Sequence, residues 1–475
     1  MPPTPSSPLL EPAVELRRDD PRPLAVQLAD ALRHAAASGQ IRGGDRLPST
    51  RALARHLGVS RTVTAAAYEQ LHAEGWIAGR HGSGTYVTTT PPGAESAAQP
   101  AVSDADEPEP PAINLTPGAP WVGGIDRAAW RRAWRAAGDR EPDDRVHRAG
   151  LPEYREAVVE HLLRHRGMVT GGPHLGTVLA TGGTTSAVLE IAAAALEPGS
   201  AVAVEEPGYQ RAVHAFRAAG MRVVPAPVDH SGIVVDEIPA GVRAVYCSPA
   251  HQYPLGGRLP AERRVALVQR ARAEGWLIVE DDYDGELRYD VAPLPVLAAM
   301  APDVVVHLGT TSKILTPTLG VGWMLAPNRV TAAVLDHRER TGTRPAAAGQ
   351  RVLVEYARNG DLGRHLRRLR RELSRRRGLV VDGLASAGLE VFGDEAGAHV
   401  VLPLPDGAAE RRLMDRAAER GIVLDGLHRH HDGTPVWFGI AFGYAACSRA
   451  DLERSVADVA RWRDREVAGE ARAAR

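Results

Sequence analysis

From residue 114 to the end of the chain, short apolar runs alternate with longer stretches of helical periodicity, and this alternation restricts the fold more than any other feature. Residues 176–180, 201–204, 242–247, 277–280 and 304–308 read as buried strands. Stretches such as 185–196 and 260–274 read as the helices between them. Strands separated by helices do not pair as hairpins. They predict an α/β fold with a largely parallel, doubly wound sheet covered on both faces. Arginine-rich helices at 364–377, 410–420 and 449–463 then predict a smaller C-terminal α+β lobe.

The 475 residues exceed one ordinary compact domain. Residues 88–112 hold proline, alanine, serine and five acids but no base, which is the composition of a disordered linker. The expected organisation is a flexible arm over 1–22, a small domain over 23–87, the linker, and a large domain over 113–475. Within the last, 113–330 is mainly the large lobe and 331–475 mainly the small one. The net charge of −1 gives no overall attraction to nucleic acid or membrane, so any DNA affinity must be local. Cys247 and Cys447 fit neither a metal-ligand spacing nor a disulfide framework, so a reducing, cytoplasmic setting is expected. There is no signal-peptide pattern and no apolar run long enough to span a bilayer.

Between residues 47 and 87, Ser49 is placed to cap a helix bearing Leu53 and Leu57. Gly58 and Val59 make a turn, and Ser60 caps a second helix with Val63, Ala67 and Leu71 turned inward. Arg61, Thr62 and Thr64 are then expected on the opposite face, and residues 76–87 form a hairpin wing. This is helix-turn-helix geometry, in which the second helix enters the major groove by its N-terminal end. Residues 41–87 hold six arginines against three acids, a modest patch for phosphate.

The run LPSTRALARHLGVSRTVTAAAYEQLHAEG with GSGTYV resembles the GntR family of winged-helix regulators, with Val63 and Thr64 in reversed order at one step. The resemblance implies an all-α/winged-helix DNA-binding domain. It also implies contacts to double-stranded operator DNA from Ser49 and Arg51, from Ser60, Arg61 and Thr62, and from His81 and Gly82 at the wing tip.

Of the 57 basic Lys and Arg residues only one, Lys313, is a lysine. Arginine serves surface charge as well as lysine but cannot form a Schiff base. A lone lysine is either the remnant of an arginine-biased composition or a residue kept for covalent chemistry. Lys313 follows the strand 304–308 by a short turn, the place where doubly wound sheets bind ligands. No glycine directly precedes it, so it is not the lysine of a P-loop. The strand 277–280 ends in Asp281, Asp282 and Tyr283, and a carboxylate there can pair with a pyridinium nitrogen. Gly182 and Gly183 precede the helix at 185–196, offering backbone N–H groups to a phosphate.

Together with GLPEYREAVVEHLLRHRG, ATGGTTSAV, VEEPGYQRA, SPAHQYPLGGRL, VEDDYDGELRY and LGTTSKIL, these residues resemble the fold-type-I aminotransferase domain. With the winged helix ahead of it, the chain resembles the MocR/GabR subfamily of GntR regulators. The resemblance implies a pyridoxal 5′-phosphate (PLP)-dependent transferase-like fold and a Schiff base between PLP and Lys313. Asp281 would pair with the ring nitrogen, Tyr283 with the ring oxygen, and Tyr209 would stack. Gly183, Thr184, Thr185 and Ser312 would hold the phosphate. Arg211 would hold the carboxylate of an amine or amino-acid effector. A homodimer is implied as well.

Two departures bear on function. The family's phosphate arginine, seven residues after the lysine, is Gly320 here, and Arg145 of a partner subunit is the expected substitute. Residues 436–444 contain no arginine to grip a substrate carboxylate, which argues for sensing rather than turnover. His428, His430 and His431 read as solvated loop histidines rather than a metal site. The sequence therefore favours a transcriptional regulator using PLP as effector or coreceptor, in vitamin B6 or amine and amino-acid metabolism. The alternatives are an aminotransferase with a vestigial DNA-binding domain, or a regulator whose large domain only dimerises.

Overall fold

The computed structural model describes residues 16–38, 40–80, 84–88, 113–142, 144–168, 178–289 and 295–473. The linker at 89–112 and the wing tip, with His81 and Gly82, lie outside these. The chain forms two compact units, Met1–Glu109 and Pro110–Arg475. Among the described residues no helix is long and apolar enough to cross a membrane.

The first unit contains helices α1 (Leu24–Ala37), α2 (Thr50–His56) and α3 (Arg61–Ala73) and strands β1 (Arg46–Leu47), β2 (Ile77–Arg80) and β3 (Gly84–Val87). The strands form one antiparallel sheet in the order β1-β3-β2. Its core is Leu28, Leu32, Leu53, Ala67, Leu71 and Ile77. The Ser49 hydroxyl caps α2 by accepting from the Ala52 N–H at 3.2 Å, and Ser60 caps α3 by accepting from Val63 at 3.4 Å. Arg33 of α1 grips Glu74, just past α3, with Nη2 at 2.8 Å. Residues 16–22, read from sequence as part of a loose arm, are tied down. The Gln27 side-chain amide bonds the backbone of Arg17 and Arg22, and Leu16 packs on the core.

One expectation is overturned in α3. Thr64 is 0% exposed, whereas Val63 is only partly buried. The helical period carries the inward stripe through Thr64, Ala67, Tyr68 and Leu71. The Thr64 hydroxyl donates to the carbonyl of Thr50 at 2.9 Å, pinning the start of α3 to the start of α2. Ser49, Arg51, Ser60, Arg61 and Thr62 remain exposed around these two neighbouring N-termini.

The second unit is built on an eight-stranded sheet. After β4 (Ile113–Asn114), its strands are β5 (Val178–Thr181), β6 (Ala201–Glu206), β7 (Arg222–Asp229), β8 (Gly232–Ile233), β9 (Ala244–Cys247), β10 (Leu277–Asp281), β11 (Val305–Thr310) and β12 (Gly322–Leu325). The order is β5-β12-β11-β10-β9-β6-β7-β8. Strands β7, β6, β9, β10 and β11 run parallel, and β12 runs against both β11 and β5. Side chains alternate between two cores. Val245, Ile278 and Val305 point to one face, and Tyr246, Val279 and Val306 to the other. The period of two thus produces the two-sided burial of a doubly wound sheet.

The smaller lobe has an antiparallel sheet of β13 (His399–Pro403), β16 (Gly439–Gly443) and β15 (Asp425–Gly426), while β14 (Ile422–Val423) pairs with β4. Helices Asp361–Ala385, Gly407–Ala418 and Arg449–Ala473 accompany it. Helix Asn328–Thr341, assigned from sequence to this lobe, instead covers the large sheet. Its Val330 and Val334 pack in the second core, and Arg338 donates to the Ala180 carbonyl at 2.8 Å.

Candidate functional site

Five parallel-sheet connections leave the carboxyl ends of their strands on the same side and bring their first residues together. Beyond β5 come Gly183, Thr184 and Thr185, beyond β6 Tyr209 and Arg211, and beyond β9 Tyr253. Asp281 ends β10, followed by Tyr283 and Asp284, while Ser312 and Lys313 follow β11. All of them line one cavity of about 1030 Å³, the position at which open α/β sheets bind ligands. Every residue assigned from sequence to cofactor or effector is on this wall except Arg145, which was expected to act from a partner subunit.

The Lys313 ammonium donates to the Gly118 carbonyl at 2.6 Å. Burial pushes its pKa below the ordinary lysine value, and Asp284 and Asp281 pull it partly back. A desolvated amine of this kind is more readily available as a nucleophile. The Asp281 carboxyl is buried and pushed up to about 7 by desolvation, with a hydrogen bond from the Tyr246 hydroxyl opposing the shift. That bond engages Oδ2. Oδ1 is buried with no hydrogen-bond partner. A buried carboxylate oxygen on a cavity wall calls for a donor from whatever occupies the cavity.

At the other end, Gly183 holds φ at +126°, a conformation side-chain-bearing residues rarely adopt, immediately before the helix Thr184–Ala195. Thr184 and Thr185, at the start of that helix, line the same cavity as Ser312. Such a helix start accommodates a phosphate. The Thr185 hydroxyl lies 3.2 Å from the Tyr209 hydroxyl. Gly320, where the family carries arginine, is exposed in a turn with open space around it. Arg145 is also exposed and does not line the cavity of its own chain.

Sequence reasoning missed several residues in and behind the cavity wall. Tyr246 and Gly118 become neighbours of Asp281 and Lys313 only through folding. Arg429 was missed because the search for a second guanidinium covered 436–444. It stands earlier, in the turn Leu427–His430, paired with Asp425 at 2.6 Å and lining the cavity. A second guanidinium therefore stands on the cavity wall, contrary to the expectation drawn from residues 436–444. His430 is not a solvated loop residue either, being 2% exposed with Nε2 3.3 Å from Asp425. Its carbonyl accepts from the Gly208 N–H at 2.9 Å and from Gln210 Nε2 at 2.8 Å. Glu206 accepts from the Asp432 and Gly433 N–H groups at 3.0 and 3.1 Å. The small-lobe turn carrying Arg429 is thereby clasped to the segment carrying Tyr209 and Arg211. Among the described residues there is no group of three or more potential metal ligands.

The acids of β10 and its following loop are buried with partners. Arg166 donates to both carboxylate oxygens of Asp282 at 2.7 Å and to the Gly285 carbonyl at 2.7 Å. Glu280 accepts from Leu297 N–H at 2.7 Å and faces His307 at 3.2 Å. Glu286 faces His161 at 2.8 Å. This buried layer fixes the strand end from which Asp281 and Tyr283 project.

Comparison with known proteins separates the same two parts. The family model for aminotransferases of class I and II matches residues 113–459, and that for bacterial regulatory proteins of the gntR family matches residues 24–87. The HTH-type pyridoxine biosynthesis transcriptional regulator PdxR of Corynebacterium glutamicum is 33% identical over 94% of this chain and 97% of its own length. The probable rhizopine catabolism regulatory protein MocR of Rhizobium meliloti is 30% identical over 93% and 94%. Among solved structures, Pyrococcus horikoshii kynurenine aminotransferase superposes with a TM-score of 0.67 at 24% identity, covering 74% of this chain and 90% of that one. That likeness establishes the aminotransferase fold of the second unit.

Proposed function

The chain belongs to the MocR/GabR subfamily of GntR-type transcriptional regulators, which join a DNA-binding winged helix to a fold-type-I aminotransferase-like domain, and from that premise we propose that this domain binds PLP at Lys313 as the signal it reads. Aminotransferases of this class are PLP-dependent. The observation that carries the proposal is the unpartnered Oδ1 of Asp281, set across a cavity that also holds the chain's only lysine. A protonated ring nitrogen is the donor that oxygen lacks. When bound, PLP supplies an aldehyde for the Lys313 amine and an electron-withdrawing ring. Tyr209 would cover the ring and Tyr283 would donate to its oxygen. Gly183, Thr184, Thr185 and Ser312 would hold the phosphate with neutral donors.

Arg211 and Arg429 give the cavity two guanidinium groups, the chemistry for the carboxylate of an amino-acid or amine effector. The relative's role in pyridoxine biosynthesis supports control of vitamin B6 or of amine and amino-acid metabolism. We infer a homodimer, so that two winged helices meet two half-sites of an operator. Because Arg429 faces the cavity, residual transamination remains a second reading. Steady multiple turnover with an amino donor and a keto acid distinguishes it.

The test is affinity for the DNA upstream of the protein's own gene, measured with and without PLP. Coupling of ~1–3 kcal/mol between the two ligands is expected, and equal affinity under both conditions overturns the sensing role. On that DNA, Arg61→Ala is expected to cost ~1–3 kcal/mol of specific binding, as for an arginine reading a base edge. An unchanged affinity removes Arg61 from the recognition surface.

A further inference from the structure

Asp284 and His251 are buried beside the cofactor site, and the roles assigned above do not use them. His251 Nδ1 lies 2.8 Å from Asp284 Oδ2 and 3.1 Å from the Tyr283 hydroxyl. A carboxylate only accepts, so Nδ1 carries the proton. That proton also leans on the Tyr283 oxygen, which therefore acts as an acceptor toward His251. The hydroxyl's own proton must point elsewhere, and Tyr283 lines the cavity. The far side of the imidazole agrees. His251 Nε2 is buried with no partner, a smaller cost for a bare acceptor than for an N–H. Gly397 makes room for the pair. A Cβ there, at φ +70°, would lie 2.2 Å from His251 Cε1 and 2.8 Å from Asp284 Oδ2.

We propose that His251, held in one tautomer by Asp284, is a positioning residue that fixes the Tyr283 hydroxyl as a donor into the cavity. This rests on the PLP reading above, since the acceptor is the ring oxygen of the cofactor. Other groups face Tyr283 without replacing His251. Asp281, Glu205 and Tyr253 surround it, but none hydrogen-bonds its hydroxyl. His399 lies 5.0 Å from the His251 ring, donates to the Pro254 carbonyl, and is kept neutral by burial, which lowers its pKa to about 3.

A donor to the ring oxygen drains its negative charge and so eases loss of the proton from the Lys313 nitrogen beside it. Removing the donor should raise the pH at which the visible band of the PLP-loaded protein titrates. His251→Leu is expected to raise this midpoint by about one pH unit, the worth of one hydrogen bond. Tyr283→Phe should move it in the same direction and at least as far. His251→Asn, which keeps a donor near the Nδ1 position, should leave it close to the starting value. His251→Phe, which keeps the ring volume but offers no donor, should raise it as His251→Leu does and carries the test if His251→Leu does not fold. A band that titrates unchanged in His251→Leu and His251→Phe while shifting in Tyr283→Phe overturns the positioning role. A starting protein with no visible band after loading overturns the PLP reading instead, and this inference with it.

Discussion

Lys313→Ala is expected to remove the visible absorbance of the PLP-loaded protein completely, and with it any effect of PLP on DNA affinity. The magnitude follows from composition as much as from geometry. Lys313 is the only lysine among 475 residues, so no neighbouring side-chain amine can take over. Lys313→Arg keeps the positive charge but not a deprotonatable primary amine, and it should lose the band equally. The fold should tolerate both changes, because the ammonium contributes a single hydrogen bond, to Gly118. Affinity for operator DNA in the absence of PLP should therefore persist, which separates a lost signal from a lost protein. An absorbance band that survives in Lys313→Ala would mean that the cofactor is not bound through this residue.

Arg166→Met is expected to cost ~3–5 kcal/mol of stability, far more than surface arginines of this chain. Arg166 is 1% exposed, and its three donors satisfy Asp282 and the Gly285 carbonyl. Without it the Asp282 carboxylate is left buried near Glu280 and Glu286. Burial already pushes the Asp282 carboxyl up to about 6, with Arg166 pulling against the shift. A carboxyl whose folded pKa is raised stabilises the protein at pH below its unfolded value and loses that contribution as pH rises through the folded one. Removing Arg166 raises the folded value further. The deficit should therefore be smallest near pH 4–5, approximately the ordinary carboxylate range, and widen toward neutrality, as read from denaturant midpoints across that interval. A deficit independent of pH would mean that packing, not charge, is what Arg166 supplies.

What could be read from sequence was mostly local. Ser49 and Ser60 each cap a helix beginning one residue later, a relation visible within a single turn. The strand before Lys313 and the strand ending at Asp281 are short apolar runs, and the chain direction alone puts their carboxyl ends together. The failures share the opposite property. Thr64 was read outward because it is polar, yet a hydroxyl buries readily when a carbonyl such as that of Thr50 is in reach. Arg166 and Asp282 are separated by 116 positions, and no local pattern joins them. Arg429 belongs to a lobe whose docking decides what it faces, so a search confined to one stretch of sequence looked in the wrong turn.

The clasp at His430 has a consequence for how the cavity answers its ligand. The bonds to the His430 carbonyl come from the Gly208 backbone N–H and the Gln210 side-chain amide, so substitutions at Arg211 or Arg429 remove neither partner. The two guanidinium groups are consequently mounted on one mechanical linkage, as jaws of the same vice. Tightening around a carboxylate from the Arg429 side must also carry the segment that bears Tyr209. Energies measured at Arg211 and Arg429 are then properties of the linkage, and removing both should cost a different amount from the sum of removing each.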